Sequence, residues 1–122
     1  MIFLGKHGAG AAAVTFGCML LMATARAADA PAGDVAAGKQ IAMDRTKGNC
    51  IACHMIPGGQ SPGTIGPALI AIQARYPSIE KLRAQIYDPT VANSMSAMPP
   101  FGRNRLLTEK ELNDVTAYMW SL

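Results

Sequence analysis

Charge is scarce in this sequence. Only 16% of the 122 residues are Asp, Glu, Lys or Arg, while half are apolar. Disordered chains show the opposite balance, so this one is expected to fold. Aromatic residues are also few, at 6%. That is thin material for a core of this size and leaves room for something other than side chains. There are two histidines, His7 and His54, and eight carboxylates, a small stock for acid–base chemistry. The three cysteines, Cys18, Cys50 and Cys53, cannot all pair with one another and are too few for a cystine-knot scaffold. The composition excludes a collagen-like fibre, and the length allows one domain rather than a multidomain enzyme. No internal repeat is visible, and no segment alternates convincingly enough to be a strand.

The beginning of the chain has the pattern of a secretory signal peptide over residues 1–27. Lys6 and His7 form a short basic start, and Gly8 to Ala25 is apolar or small throughout. Ala25-Arg26-Ala27 supplies the small-x-small pattern of a cleavage site. Ala28-Asp29-Ala30 is a weaker site, because Pro31 would follow the cut. The apolar run is near the length of a membrane span, but it is rich in Gly and Ala and ends on a cleavage pattern. Cys18 lies inside the run rather than at its end, which argues against a lipoprotein leader. Cleavage leaves residues 28–122 as the mature domain and removes Cys18, His7, Lys6 and Arg26. Nine basic and eight acidic side chains remain, a net charge of +1. The basicity therefore belongs largely to export, and nucleic-acid binding loses its footing. Export from a bacterial cell places the domain in the periplasm, an oxidising compartment.

The mature chain reads as helical. Asp34 can cap a helix running to about Asp44, with Val35, Gly38, Ile41 and Ala42 on one face. Gly58, Gly59, Pro62, Gly63 and Gly66 make the stretch between Pro57 and Pro67 a loop. A second helix is expected from Pro67 to about Arg75. A third starts at a Ser78 cap and ends before Asp88-Pro89, with Ile79, Leu82 and Ile86 facing inward. Residues 88–107 read as mostly irregular. Thr108-Glu109-Lys110-Glu111 is a capping box opening a last helix whose apolar face is Leu112, Val115, Met119 and Leu122, beside Tyr118 and Trp120. Gly38 weakens a helix interior by about 1 kcal/mol relative to alanine. A close crossing of the first and last helices at Gly38 would compensate.

Cys50-Ile51-Ala52-Cys53-His54 is C-x-x-C-H, the attachment motif for c-type haem. Two thiols three positions apart on a turn can each add to a vinyl group on one porphyrin edge. The histidine that follows can then aim its imidazole at the iron. A thioredoxin-like redox pair requires a βαβ context, which is absent. A structural zinc site requires four ligands, and only Cys50, Cys53 and His54 are available. A bare disulfide at this spacing closes a very small ring and stabilises little. Haem also accounts for the shortage of core: a flat apolar macrocycle wrapped by three or four helices, an all-α fold, supplies the missing volume.

His54 is the only mature histidine, so a second axial ligand must be of another type. Methionine suits, because a thioether sulfur binds haem iron and raises its potential. Met43 and Met119 fall in helices, where core packing is their expected role. Met55 adjoins His54 and cannot reach the opposite face. Between Met95 and Met98, Met98 is preferred because Pro99-Pro100 fixes φ at two successive positions after it. Phe101-Gly102 follows. Pro67, after the glycine-rich loop, is placed to accept a hydrogen bond from His54 and orient the ring. Lys47, Arg103 and Arg105 are expected to edge the haem crevice and steer a partner. Arg75, Tyr76 and Tyr87 are candidates for the haem propionates.

These segments together resemble class I cytochromes c. The stretches Asp44 to Cys50, Cys53-His54, Gly63 to Pro67 and Met98 to Gly102 resemble more narrowly the SoxX family. These are monohaem subunits of the periplasmic SoxAX complex of bacterial thiosulfate oxidation. Ala68 departs from the pattern, where a second proline is expected. The resemblance implies one haem c tethered by Cys50 and Cys53, with iron held by His54 and Met98. It also implies a larger SoxA-like cytochrome partner in a heterodimer and a redox acceptor protein. In that family the complex, an L-cysteine S-thiosulfotransferase, couples thiosulfate oxidatively to a cysteine of the SoxYZ carrier. The SoxX subunit carries electrons and has no catalytic site of its own. A free-standing shuttle cytochrome serving an oxidase or reductase is the alternative, and a peroxidatic or ligand-binding haem protein a third.

Overall fold

The computed structural model describes residues 32–122. The leader, its cleavage site and Cys18 lie outside these residues. Helix α1 (Val35–Met43) begins at Asp34, whose carboxylate accepts hydrogen bonds from the Ala36 and Ala37 N–H groups at 2.8 and 3.0 Å. A single 3-10 turn, Cys50–Ala52, follows. Helix α2 is one turn, Ile72–Arg75; helix α3 is Ile79–Tyr87, capped by the Ser78 hydroxyl; a second 3-10 turn covers Pro89–Val91. Helix α4, Glu109–Trp120, opens on the expected capping box: the Thr108 hydroxyl accepts from the Glu111 N–H and the Glu111 carboxylate accepts from the Thr108 N–H. No strand occurs among the described residues. Among the described residues the fold is the expected all-α one, with four α-helices.

Helix α4 is the hub, packed by α1, α3 and α2. Its Leu112, Val115, Tyr118 and Met119 form one buried cluster with Ala42, Ile51, Ile56, Ile72, Leu82, Ile86, Phe101 and Leu107. Leu122 and Trp120 pack at the edge of that cluster. Two readings of the sequence need correction. Val35 is 45% exposed. It is the first residue of α1, and helical side chains lean toward the N-terminus, which carries this one past the packed face. The segment from Pro67 to Ala71 is not helical. Its backbone is committed elsewhere: the Leu69 N–H donates to the Met55 carbonyl and the Ala71 N–H to the Leu122 carbonyl, both at 2.8 Å.

The crossing of α1 and α4 does fall at Gly38. A Cβ there would run into the Asp114 carbonyl and come within 2.9 Å of the Tyr118 Cβ. The obstacle is backbone, which cannot rotate away. Helix propensity alone would make Gly38→Ala stabilising by about 1 kcal/mol. Overpacking should reverse the sign and cost about 2 kcal/mol net. Urea unfolding of the wild type and the variant reads this directly.

Lys47 and Glu111 join the loop before Cys50 to the start of α4, with Nζ 2.6 Å from Oε1. The Lys47 ammonium, first, and the Thr108 N–H hold the Glu111 carboxyl down to about 2. A carboxyl with a depressed folded pKa stabilises the fold above its unfolded value and loses that contribution as it protonates. Stability should therefore be full above about pH 4.5 and decline towards pH 2. Glu111→Gln should flatten that decline in denaturant titrations across this range.

Candidate functional site

Asn49 adopts a left-handed backbone conformation, φ 48°, and turns the chain into Cys50–Ala52. The turn is then closed by three backbone bonds: Ala52 N–H to the Asn49 carbonyl at 3.0 Å, Cys53 N–H to the Cys50 carbonyl at 3.2 Å, and His54 N–H to that same carbonyl at 2.9 Å. Ile51 is buried in the core and anchors the turn. Cys50 and Cys53 are both free and half-buried, so neither is spent in a disulfide. Burial pushes the Cys50 thiol up to about 11. Among the described residues, no three His, Cys, Asp or Glu side chains converge on a metal-sized point, which leaves the zinc reading without a cage.

The glycine-rich loop, read from sequence only as irregular, is a strap laid along this motif. The Gly63 N–H donates to the Ile51 carbonyl and the Gly66 N–H to the Cys53 carbonyl, both at 2.8 Å. A Cβ on Gly63 would run into the Ala52 carbonyl, and one on Gly66 would meet the His54 ring, 2.6 Å from Nδ1 and 2.8 Å from Nε2. The imidazole thus lies against bare backbone. Gly63 and Gly66 were legible as glycines but not as contacts, because their partners are ten or more residues away.

His54 Nδ1 is 2.7 Å from the Pro67 carbonyl. A carbonyl can only accept, so Nδ1 carries the proton and donates it. In the neutral ring, Nε2 is then left with its lone pair free. Met98 is half-buried against the core, and its N–H donates to the Ser96 hydroxyl at 3.2 Å. Met95 is 87% exposed. Met43 and Met119 pack in or beside the core, and Met55 is exposed.

Ion pairs within the chain engage two of the three cations expected at the haem edge. Lys47 is paired with Glu111, and the Arg103 guanidinium donates to Asp88 and to Thr90, each at 2.9 Å. Long-range neighbours that the sequence hides pair with both residues; Arg105 forms no ion pair among the described residues. Arg75 donates to the Ala68 carbonyl at 3.1 Å, Tyr76 packs at the core edge, and the Tyr87 ring lies on Gly102. Two open surface concavities, about 600 and 310 Å³, run along α3 and touch none of Cys50, Cys53, His54 or Met98.

The residues present fit a haem. Two free thiols stand beside an imidazole whose Nδ1 is engaged by the Pro67 carbonyl, which leaves Nε2 as the nitrogen not so engaged, and the ring is backed by a glycine. Among the described residues, Met55, Ile65 and Ile70, in the stretch that follows the motif, are exposed large hydrophobics. Residues 35–122 match the cytochrome c family. The chain belongs to the cytochrome c family. As a cytochrome c it binds haem c covalently, and its role is electron transfer. The crystal structure of SoxXA from P. pantotrophus superposes with a TM-score of 0.64 at 25% identity, covering 71% of this cytochrome and 80% of that chain. That likeness marks it as a SoxX-like class I cytochrome c. An uncharacterized lipoprotein of Aquifex aeolicus (strain VF5) is 36% identical over 74 residues. The alignment covers 60% of this cytochrome and 36% of that protein, so the chain spans about a third of that curated relative's length.

Proposed function

We propose that this cytochrome is the monohaem, electron-carrying subunit of a SoxAX-type complex in the periplasm. Cys50 and Cys53 would hold the haem through thioether bonds, and His54 Nε2 and Met98 Sδ would ligate its iron. Bound haem supplies a one-electron iron couple. The protein's own residues do the rest. The Pro67 carbonyl keeps the proton on Nδ1 and fixes the imidazole plane; Gly66 gives the ring room; Pro99-Pro100 stiffens the chain that presents Met98. With a ligand on each face no iron position is open to substrate, so the thiosulfate chemistry falls to a larger SoxA-like partner and its carrier protein. The observation that carries this reading is the His54 imidazole, locked by Pro67 beside two free thiols. The SoxXA likeness supports the choice of partner.

Tagged full-length chain, expressed in its own host, should co-purify with a larger cytochrome and reduce no terminal oxidase by itself. A monomer that reduces an oxidase directly would identify a free-standing shuttle instead. On the same reading residues 1–27 are a cleaved leader and residues 28–122 the mature domain. Terminal sequencing of the periplasmic protein should begin at Ala28; a product that starts at Met1, or carries a lipid, contradicts that part.

A further inference from the structure

The segment that carries Met98 is closed into a loop at one carboxylate. Asp88 ends α3, its N–H returning to the Ala84 carbonyl at 3.0 Å. Its Oδ1 accepts from the Thr90 N–H at 3.1 Å and from the Thr90 hydroxyl at 2.5 Å. Its Oδ2 accepts from Arg103 Nη1 at 2.9 Å, and that same nitrogen donates to the Thr90 hydroxyl oxygen at 2.9 Å. One side chain therefore fixes both ends of residues 88–103. The backbone repeats the closure: the Gly102 and Arg103 N–H groups both donate to the Tyr87 carbonyl, at 3.1 and 3.2 Å. Asp88 is 11% exposed and Arg103 half exposed.

Met98 lies five residues before Arg103, and the connection is stiff. Pro99 and Pro100 have fixed φ, Phe101 is buried, and the Pro100 carbonyl accepts from the Asn104 N–H at 3.0 Å. On the other side the Ser96 hydroxyl accepts from the Met98 N–H, and Ser96 is itself tied back, its N–H to the Asn93 carbonyl at 2.9 Å and the Asn93 N–H to the Pro89 carbonyl at 3.0 Å. The position of the thioether is thus set in part from the Arg103 end, through the stiffer of the two connections. A thioether is a weak donor to iron, so its occupancy depends on being held there.

We propose that Asp88 and Arg103 are positioning residues: their pair is a clasp that keeps Met98 at the haem iron. This rests on Met98 being the axial ligand, as read above. Opening the clasp should free the ligand locally without unfolding the domain, because the α1–α4 packing is untouched. A charge-assisted hydrogen bond is roughly twice as strong as a neutral one, and losing one should raise the population of the ligand-off form about tenfold.

The test uses the holoprotein with Asp88→Asn, Arg103→Ala and Arg103→Lys, beside Met98→Ala. Carbon monoxide uptake by the reduced protein reports an open iron position, and far-UV circular dichroism reports the fold. Asp88→Asn and Arg103→Ala should bind carbon monoxide about tenfold faster at unchanged helical signal, with Arg103→Lys recovering part of the difference. Uptake at the wild-type rate, with only global stability lowered, overturns the proposal and leaves the pair a structural contact. If Met98→Ala keeps the sulfur-to-iron charge-transfer band, the ligand assignment itself falls and the clasp falls with it. Should Arg103→Ala fail to accumulate, Asp88→Asn carries the same comparison.

Discussion

Met98→Ala is expected to abolish the sulfur-to-iron charge-transfer band of the oxidised protein. It should also lower the midpoint potential by about 0.2 V, a fraction of the range that axial ligands command. The reasoning runs through donor softness and position. A thioether favours reduced iron, and water or an empty site in its place does not. Met98 is half-buried against the core, in a chain stiffened by two prolines. Met95, three residues earlier, is almost fully exposed, with only its N–H engaged, to the Asn93 side chain at 3.0 Å. Met95→Ala should therefore leave both band and potential unchanged. Spectra and redox titrations of the two variants decide between them: a band lost in Met95→Ala and kept in Met98→Ala would reverse the assignment.

Gly66→Ala is the second large effect. A Cβ there would overlap the imidazole of His54. The ring cannot retreat without giving up the Nδ1–H to Pro67 carbonyl bond, and the strap cannot retreat without giving up the Gly66 N–H to Cys53 carbonyl bond. Either way the cost combines overpacking with a lost hydrogen bond, about 3 kcal/mol. The accumulation of holoprotein should fall steeply. Gly58 provides the comparison. A Cβ there meets nothing within 4 Å, but its φ is +76°, so Gly58→Ala pays only backbone strain, about 1 kcal/mol. Thermal unfolding and haem content, measured for both variants, separate the glycine kept for space from the glycine kept for conformation. Equal losses would contradict the placement of Gly66 against the ring.

The features legible in the sequence were those whose physics is local. C-x-x-C-H names its own chemistry, and the Asp34, Ser78 and Thr108 caps act within three residues. Gly38 was legible because a glycine inside a helix needs a compensating contact. Residues 67–71 were misjudged because Pro67 is a good first helical residue, while the bonds that overrule it come from Met55 and Leu122. The partners of the surface cations were hidden for a related reason. Lys47 reads as free until Glu111, 64 positions on, is folded beside it, and Arg103 until Asp88 is. Pro67 was anticipated as a partner of the imidazole, and the observed distance of 2.7 Å is that of a short hydrogen bond.

Such pairing also changes what docking can depend on. Lys47 and Arg103 are each engaged by a carboxylate of this chain, which leaves Arg105 and the exposed apolar side chains Ile65 and Met95, 78% and 87% exposed, open to contact.

The central claim is a single haem c carried on Cys50 and Cys53, and intact mass spectrometry of the denatured native protein tests it most directly. The account predicts the mass of residues 28–122 plus one haem, retained under denaturing conditions, with the added mass on the peptide containing Cys50 and Cys53 and neither thiol open to alkylation. A polypeptide that loses its haem on denaturation, or whose two thiols both alkylate, would contradict it.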